Sequence, residues 1–314
     1  MDKLYDFNGC RLSLKDFGGS DKKESIFFGD KRYMIKYNDE IPQDKRNEYT
    51  SSSRNNAFSE YISCHIFESV NIEAQKTLLG EKNGHIVVAC EDFCVNGYDI
   101  NEFEKNSSRL GVNFKDIRYP DINDVLMFIR SDQTIDAFDA EKRFWDTFVM
   151  DALLGNFDRH TGNWGYLYND DLHIKTLAPV YDCGACLYPM VSDDAMKEII
   201  TSQEEIDVRI FKYPKAAFSL NGEKISYHSF LTDWEISDTY PILSQSISDI
   251  CNQLSREQIN SVIDNTPAQS EIRSLFYQTM IRERFEKILL PAYKTIKKNM
   301  PTVNNENYIR HRTR

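Results

Sequence analysis

Between Phe144 and Tyr168 the chain changes character twice, and both changes restrict what it can fold into. Apolar residues at helical spacing, Phe144, Phe148, Met150 and Leu154 with Trp145 beside them, run up to Gly155. A polar segment follows, Asn156-Phe157-Asp158-Arg159-His160-Thr161-Gly162-Asn163, and Trp164 to Tyr168 then reads as a short strand. Helix and strand are both apolar enough to be buried, so the Gly-punctuated turn between them is tied to a core at each end. Folds tend to carry function on such turns. Asp, Asn and Gly are also common turn formers, so the same residues suit a well-capped connection. The rest of the chain has to decide.

A second acidic site, Tyr181-Asp182-Cys183-Gly184, lies downstream. A catalytic Asp (Asp158), a metal-binding Asn (Asn163) and a metal-binding Asp (Asp182), in that order, describe a phosphoryl-transfer centre. Upstream, Ile26-Phe27-Phe28 and Tyr33-Met34-Ile35-Lys36-Tyr37 flank Gly29-Asp30 and read as a hairpin. Lys36 sits in that strand among apolar and aromatic residues, so it either snorkels outward or faces a ligand cleft. Gly18-Gly19 before the hairpin could set backbone N–H groups against phosphates, with Lys22 or Lys23 nearby, although the segment is not a Walker loop. A helix beginning at Ala57 carries Phe58, Ile62, Ile66 and Val70 on one face, and Glu60 falls beside that face, within reach of a strand lysine. A strand Lys paired with a Glu of the first helix is a small-lobe feature of kinases.

A second hairpin is predicted around Asn83-Gly84, between Thr77-Leu78-Leu79-Gly80 and His85-Ile86-Val87-Val88-Ala89-Cys90. Its exit through Glu91-Asp92-Phe93 to Asn96-Gly97 marks the expected boundary. A β-rich N-lobe is expected over 1–95 and a mostly α-helical C-lobe over 96–300. From Asp121 the apolar spacing is helical, with Ile122, Val125, Leu126 and Ile129 first, and it continues to about Tyr293. The last residues, 301–314, lose periodicity, carry Arg310, Arg312 and Arg314, and read as a flexible basic tail. The expected class is α+β, two-lobed and kinase-like.

Charge narrows the partners. With 38 Lys and Arg against 49 Asp and Glu the net charge is −11, which disfavours non-specific binding to nucleic acid or anionic membrane. No stretch approaches the ~20 apolar residues of a membrane span, and the start lacks a signal peptide. A cytoplasmic protein is expected, with export into host cells by a Sec-independent route left open. Seven Cys without a framework point to reduced thiols. Cys183-Gly184-Ala185-Cys186 lacks the second ligand pair of a zinc site and reads as two half-buried thiols.

Taken together, these segments resemble HipA-type serine/threonine kinases. The likeness rests on Phe58-Ser59-Glu60-Tyr61, on Val87 to Phe93, on Leu153 to His160 with Gly162-Asn163-Trp164-Gly165, on Tyr181 to Gly184 with Cys186-Leu187-Tyr188-Pro189, and on Ile263-Asp264-Asn265-Thr266-Pro267. The resemblance implies ATP and Mg²⁺ as cofactors, a protein substrate (a host protein included), and autophosphorylation. It implies that Lys36 contacts the nucleotide phosphates and Glu60 orients Lys36. The backbone of Glu91 and Phe93 would hold adenine, and the loop of Gly18, Gly19, Ser20 and Lys23 would cover the phosphates. Asp158 would orient the acceptor hydroxyl, and Asn163 and Asp182 would hold Mg²⁺. Arg159 is expected to brace the loop and Trp164 to anchor it in the core.

HipA toxins also carry an N-terminal subdomain through which they bind a DNA-binding antitoxin. Here the kinase motifs begin within about 20 residues of Met1, so no antitoxin partner is expected. Ser20 and Ser25 are candidates for the family's regulatory phosphoserine, with Asp16 a rival occupant of that position. A lipid or small-molecule kinase of the same fold and a catalytically silent scaffold are the alternatives.

Overall fold

Turn chemistry and strand alternation build the first third of the computed structural model, which describes residues 3–17, 23–38, 40–47, 49–52, 54–109 and 111–299. Strands β1 (Tyr5–Asp6), β2 (Arg11–Leu12), β3 (Lys23–Phe28) and β4 (Lys31–Tyr37) precede helix α1 (Asn56–Ser69). Strands β5 (Thr77–Lys82) and β6 (His85–Glu91) follow it. Among the described residues these strands form one sheet in the order β1-β5-β6-β4-β3-β2, parallel at β1–β5 and antiparallel elsewhere. The β5–β6 hairpin turns through Asn83 and Gly84, at φ of 53° and 77°, the pair of left-handed residues that matches strand twist. Of the expected nucleotide loop, Gly18, Gly19 and Ser20 lie outside the described residues, as does the expected tail from Pro301.

Alternation gives the sheet two apolar faces. Ile26, Tyr33, Ile35, Val87 and Ala89 join Phe7 in a small cluster on one side. Met34, Leu79, Val88 and Cys90 turn the other way, onto Phe58, Tyr61, Ile62 and Ile66 of α1. Lys36 belongs to this second face: it is paired with Val88 across β4–β6 and with Lys23 across β3–β4. Helix α1 is buried on nearly every side, Ser59, Glu60 and Ser63 included. It has the sheet on one flank and the helical part of the chain on the other.

After β7 (Tyr98–Glu102), helices α2 (Phe103–Arg109), α3 (Ile122–Ser131) and α4 (Ala137–Leu154) lead to strands β8 (Gly165–Asn169) and β9 (Ile174–Leu177). Helix α4 is the axis of this part. Asp136 caps its start by accepting from the Asp139 N–H, and Gly155, at φ 68°, closes its end in the left-handed conformation. Strand β7 pairs with β8; its alternation, Tyr98 and Ile100 against Asp99 and Asn101, is too short to announce a strand by itself. The pairing is close enough that a Cβ on Gly165 would sit 2.4 Å from the Asn101 carbonyl oxygen.

Helices α5 (Asp193–Thr201) and α6 (Gln203–Asp207) are followed by a hairpin that the helical spacing of this mostly α-helical lobe did not announce. Residues Lys215–Leu220 and Glu223–Ser226 form a hairpin, β10–β11, turned through Asn221 and Gly222. Its apolar residues alternate: Ala216, Phe218 and Ile225 enter the core. Helices α7 (Tyr227–Thr232), α8 (Trp234–Thr239), α9 (Pro241–Gln253), α10 (Arg256–Asn265), α11 (Glu271–Arg284) and α12 (Leu290–Asn299) complete the described residues. Helix α4 packs on α9 and α3, and α10 packs on α1. The result is a two-lobed α+β fold of the kinase type, with a small β-rich lobe and a larger, mostly helical one. Among the described residues no helix is long and apolar enough to cross a membrane.

Candidate active site

The cleft between the sheet and α4 gathers residues from four separate segments. Lys36 on β4 is buried, and its Nζ lies 3.1 Å from Oε2 of Glu60 on α1 and 2.9 Å from Oδ1 of Asp182. The lysine therefore faces the cleft and does not snorkel to solvent. Glu60 is 1 % exposed, whereas Asp182 keeps 44 % of its side chain open to the cleft. Gly184 lies so near Glu60 that a Cβ there would meet Oε2 at 3.3 Å. Lys36 holds the Asp182 carboxyl down at about 2, against the opposing effect of burial. Burial disfavours the Lys36 charge, but Asp182 and Glu60 outweigh it and push that pKa well above normal. Burial raises the pKa of Glu60 against the pull of Lys36.

The loop after α4 is set by Arg159, which is buried. Its Nε and Nη2 donate to the two carboxylate oxygens of Asp151 at 2.9 and 3.2 Å. Its Nη1 donates to the carbonyls of Asn163, at 2.9 Å, and Tyr181, and Nη2 also reaches Cys183 Sγ at 3.3 Å. One guanidinium thus ties α4 to the Asp158–Asn163 loop and to the Asp182 loop, using the fork geometry a lysine lacks. Burial raises the Asp151 pKa, opposed by Arg159. His160 braces its own turn, accepting the Gly162 N–H at Nδ1 over 3.1 Å. Trp164 stacks on Phe103 at 4.1 Å between ring centres, which makes it the core anchor.

Asn163 Nδ2 donates to the Asp158 carbonyl at 2.8 Å. With the amide nitrogen held there, the amide oxygen is left free. The Asp158 carboxylate opens onto the cleft and makes no hydrogen bond among the described residues; partial desolvation and Asp182 raise its pKa, against His160 and Arg159. Among the described residues no three His, Cys, Asp or Glu side chains are grouped to hold a metal ion. A metal taken by Asn163 and Asp182 would complete its shell with phosphate oxygens and water, the arrangement Mg²⁺ favours. The donor set fits.

At the exit of β6, Glu91 has its N–H on the Lys76 carbonyl at 2.8 Å, and its own carbonyl accepts from Gln75 Nε2 at 3.0 Å, leaving one lone pair. The Phe93 N–H and C=O make no hydrogen bond among the described residues, and its ring lies 5.8 Å from that of Tyr181. Asp92 between them is buried and held by Lys15 at 3.0 Å and Arg32 at 2.6 Å. Sequence reasoning missed this brace and the Asp151–Arg159 pair. The one available signal was a lone carboxylate inside the apolar run of α4. Lys23 stands beside Lys36 on the cleft face, and Ser25 is buried on the same face. Cys183 and Cys186 are fully buried free thiols, not half-exposed ones, because they pack beneath Arg159.

A family model, the HipA-like C-terminal domain, matches residues 16–266. The chain belongs to the HipA-like family. Among named relatives, this HipA-like chain is 37% identical over 291 residues to the serine/threonine-protein kinase CtkA of Helicobacter pylori, spanning 92% of the chain and 87% of the relative. The crystal structure of a Helicobacter pylori proinflammatory kinase CtkA matches with a TM-score of 0.85 at 34% identity, covering 95% of this chain and all (100%) of that one. HipA from Shewanella oneidensis MR-1, solved with HipB and operator DNA, matches at a TM-score of 0.57 and 14% identity, over 93% of this chain and 70% of that one. At that identity the second structure speaks for the fold alone.

Proposed function

We propose that this HipA-like protein is an ATP- and Mg²⁺-dependent protein kinase that transfers phosphate to Ser or Thr hydroxyls, its own included. One observation carries the reading: Lys36 bridges Glu60 and Asp182 while the free amide oxygen of Asn163 and the unpaired carboxylate of Asp158 line the same cleft. The name of the Helicobacter relative, a serine/threonine-protein kinase, supports the choice of acceptor.

Bound nucleotide and Mg²⁺ would supply the transferable phosphoryl group and neutralise its charge. Phe93 would meet adenine through its free N–H and C=O, with the remaining lone pair of the Glu91 carbonyl beside it. Lys36 Nζ, kept protonated by its two carboxylates, would donate to phosphate oxygens, with Lys23 next to it on the sheet. Asn163 Oδ1 and the second Asp182 oxygen would hold the metal. Asp158 would accept the hydrogen bond of the acceptor hydroxyl and align its oxygen for attack, and it is a better acceptor for being partly desolvated. The chain's contribution is placement and fixed charge, not covalent chemistry.

Incubation of the purified protein with labelled ATP and Mg²⁺ tests this, beside Lys36→Ala, Asp158→Asn and Asp182→Ala. Label on Ser or Thr in the wild type and in none of the variants is expected. Undiminished label in Asp158→Asn would refute the assignment of that carboxylate.

A further inference from the structure

The cleft continues past Asp158 into a depression of about 550 Å³ that the assigned chemistry does not use. Asp158 and His160 stand at its inner end, and Lys115, Arg118, Lys212, Lys215 and Lys224 line its walls. None of these five cations has an ion-pair partner among the described residues. Glu104 also lines the depression, and it accepts a hydrogen bond from Thr161 Oγ1 at 3.2 Å. Five unpaired cations beside two carboxylates, in a chain of net charge −11, concentrate positive potential where an acceptor must approach.

The cations are held by construction. Lys215 and Lys224 rise from the outer face of the β10–β11 hairpin, whose inner face supplies Ala216, Phe218 and Ile225 to the core. The opposite wall, the connection from α2 to α3, is fastened to that hairpin by three contacts. Ser219 N–H donates to the Pro120 carbonyl at 3.0 Å, Ser219 Oγ to the Tyr119 carbonyl at 2.9 Å, and Asn221 N–H to Asp121 Oδ2 at 2.7 Å. Tyr119 lies between the walls, with Lys224 Nζ 4.0 Å and Arg118 Cζ 5.2 Å from its ring centre. Two segments about a hundred residues apart in sequence thus present one fixed basic surface.

We infer that this basic surface reads acidic side chains flanking the Ser or Thr of a protein acceptor, so that the enzyme selects Asp- and Glu-rich sites. The inference rests on phosphoryl transfer at Asp158. A nucleic acid is the less suited occupant, because the patch is confined to the mouth of the cleft and the surrounding chain is acidic and would repel a long polyanion.

Fluorescence anisotropy with two labelled peptides tests the inference directly. Both carry Ala at the acceptor position, one flanked by Asp and Glu and the other by Lys. The acidic peptide should bind about tenfold more tightly, as two or three exposed ion pairs would give, and the preference should shrink as salt is raised. Lys215→Glu with Lys224→Glu should abolish the preference. Lys115→Glu with Arg118→Glu should do the same from the opposite wall, so that one misfolded variant does not decide the matter. With Ser restored, the wild type should phosphorylate the acidic peptide at a KM lower by a similar factor. Transfer with no acidic preference overturns this inference and leaves the kinase reading standing. No transfer to any acceptor overturns both. Displacement of the acidic peptide by single-stranded RNA of higher affinity overturns it in favour of a nucleic-acid ligand.

Discussion

Arg159→Met removes one cation and, with it, the donors that join three segments. Asp151 would remain 1 % exposed with no counter-charge, keeping the Asn156 Nδ2 hydrogen bond at 2.8 Å. Breaking a buried pair in this way costs about 3–5 kcal/mol, chiefly because the surviving charge is stranded. At about 2–4 °C per kcal/mol for a domain of this order of size, Tm should fall by roughly 6–20 °C. Asp151→Asn in the same chain removes the stranded charge and should recover most of that stability. Activity should not follow. The carbonyls of Asn163 and Tyr181 would still lack the guanidinium, and a misplacement of about 1 Å at such a site costs on the order of 10²-fold. Calorimetry and labelled-phosphate transfer on the wild type, both single variants and the double variant separate the two effects. The sign of the pH response is also set. In Arg159→Met the Asp151 pKa is raised in the folded state, so the destabilisation is full above that pKa and is relieved as pH falls through it. A Tm within about 2 °C of wild type for Arg159→Met would refute the stranded-charge reasoning. Transfer restored to wild-type rate in the double variant would refute the role of the clamp.

Lys36→Met leaves Glu60 and Asp182 facing each other without a cation, so the nucleotide-induced rise in Tm should disappear and transfer should fall by at least about 10²-fold. Asp158→Asn should lower transfer about 10²–10⁴-fold while keeping the nucleotide-induced Tm rise; loss of that rise would instead make Asp158 a binding residue. Because burial raises the Asp158 pKa, kcat/KM should fall with decreasing pH along a limb centred above the usual ~3.9 of an aspartate, and Asp158→Asn should erase that limb. Asp182, held at about 2 by Lys36, should not titrate within it. Gly165→Ala places a Cβ 2.4 Å from the Asn101 carbonyl oxygen and should cost about 1–3 kcal/mol, read as a lower urea midpoint. An unchanged midpoint would mean that the β7–β8 pair can part freely.

Local chemistry was the most readable part of this chain. Asn83-Gly84 announced the β5–β6 hairpin because few residues adopt two successive left-handed conformations, and Gly155 marked the end of α4 for the same reason. Lys36, Glu60, Asp158, Asn163 and Asp182 could be singled out because charged and amide groups stood beside apolar runs that would otherwise reject them, and the structure brings them to one cleft. Strand β7, Tyr-Asp-Ile-Asn-Glu, went unread, since two alternating apolar residues are too short a pattern and the strand is completed by pairing with β8. The β10–β11 hairpin was hidden inside an apolar stretch whose spacing also suits a helix, although Asn221-Gly222 repeated the signal already read at Asn83-Gly84. The partners in Asp151–Arg159 and in Asp92 with Lys15 and Arg32 went unread for a different reason: each pair depends on where separate segments meet, and the carboxylate in the apolar run of α4 signals a buried charge without naming its partner.

Helix α1 has a consequence for how the chain is made. The side of the sheet that carries Lys36 closes its apolar face on α1, and α1 in turn is covered by α10. The strands through β6 leave the ribosome well before Ile259 and Ile263 of α10 exist. At about 5–20 residues per second the delay is roughly 10–30 s. During that interval the nascent sheet and its first helix have an uncovered apolar flank, so the β-rich half cannot mature ahead of the helical half. Chain arrest before α10 should therefore yield a segment that depends on chaperones, and the two halves of the catalytic cleft should become protease-resistant together.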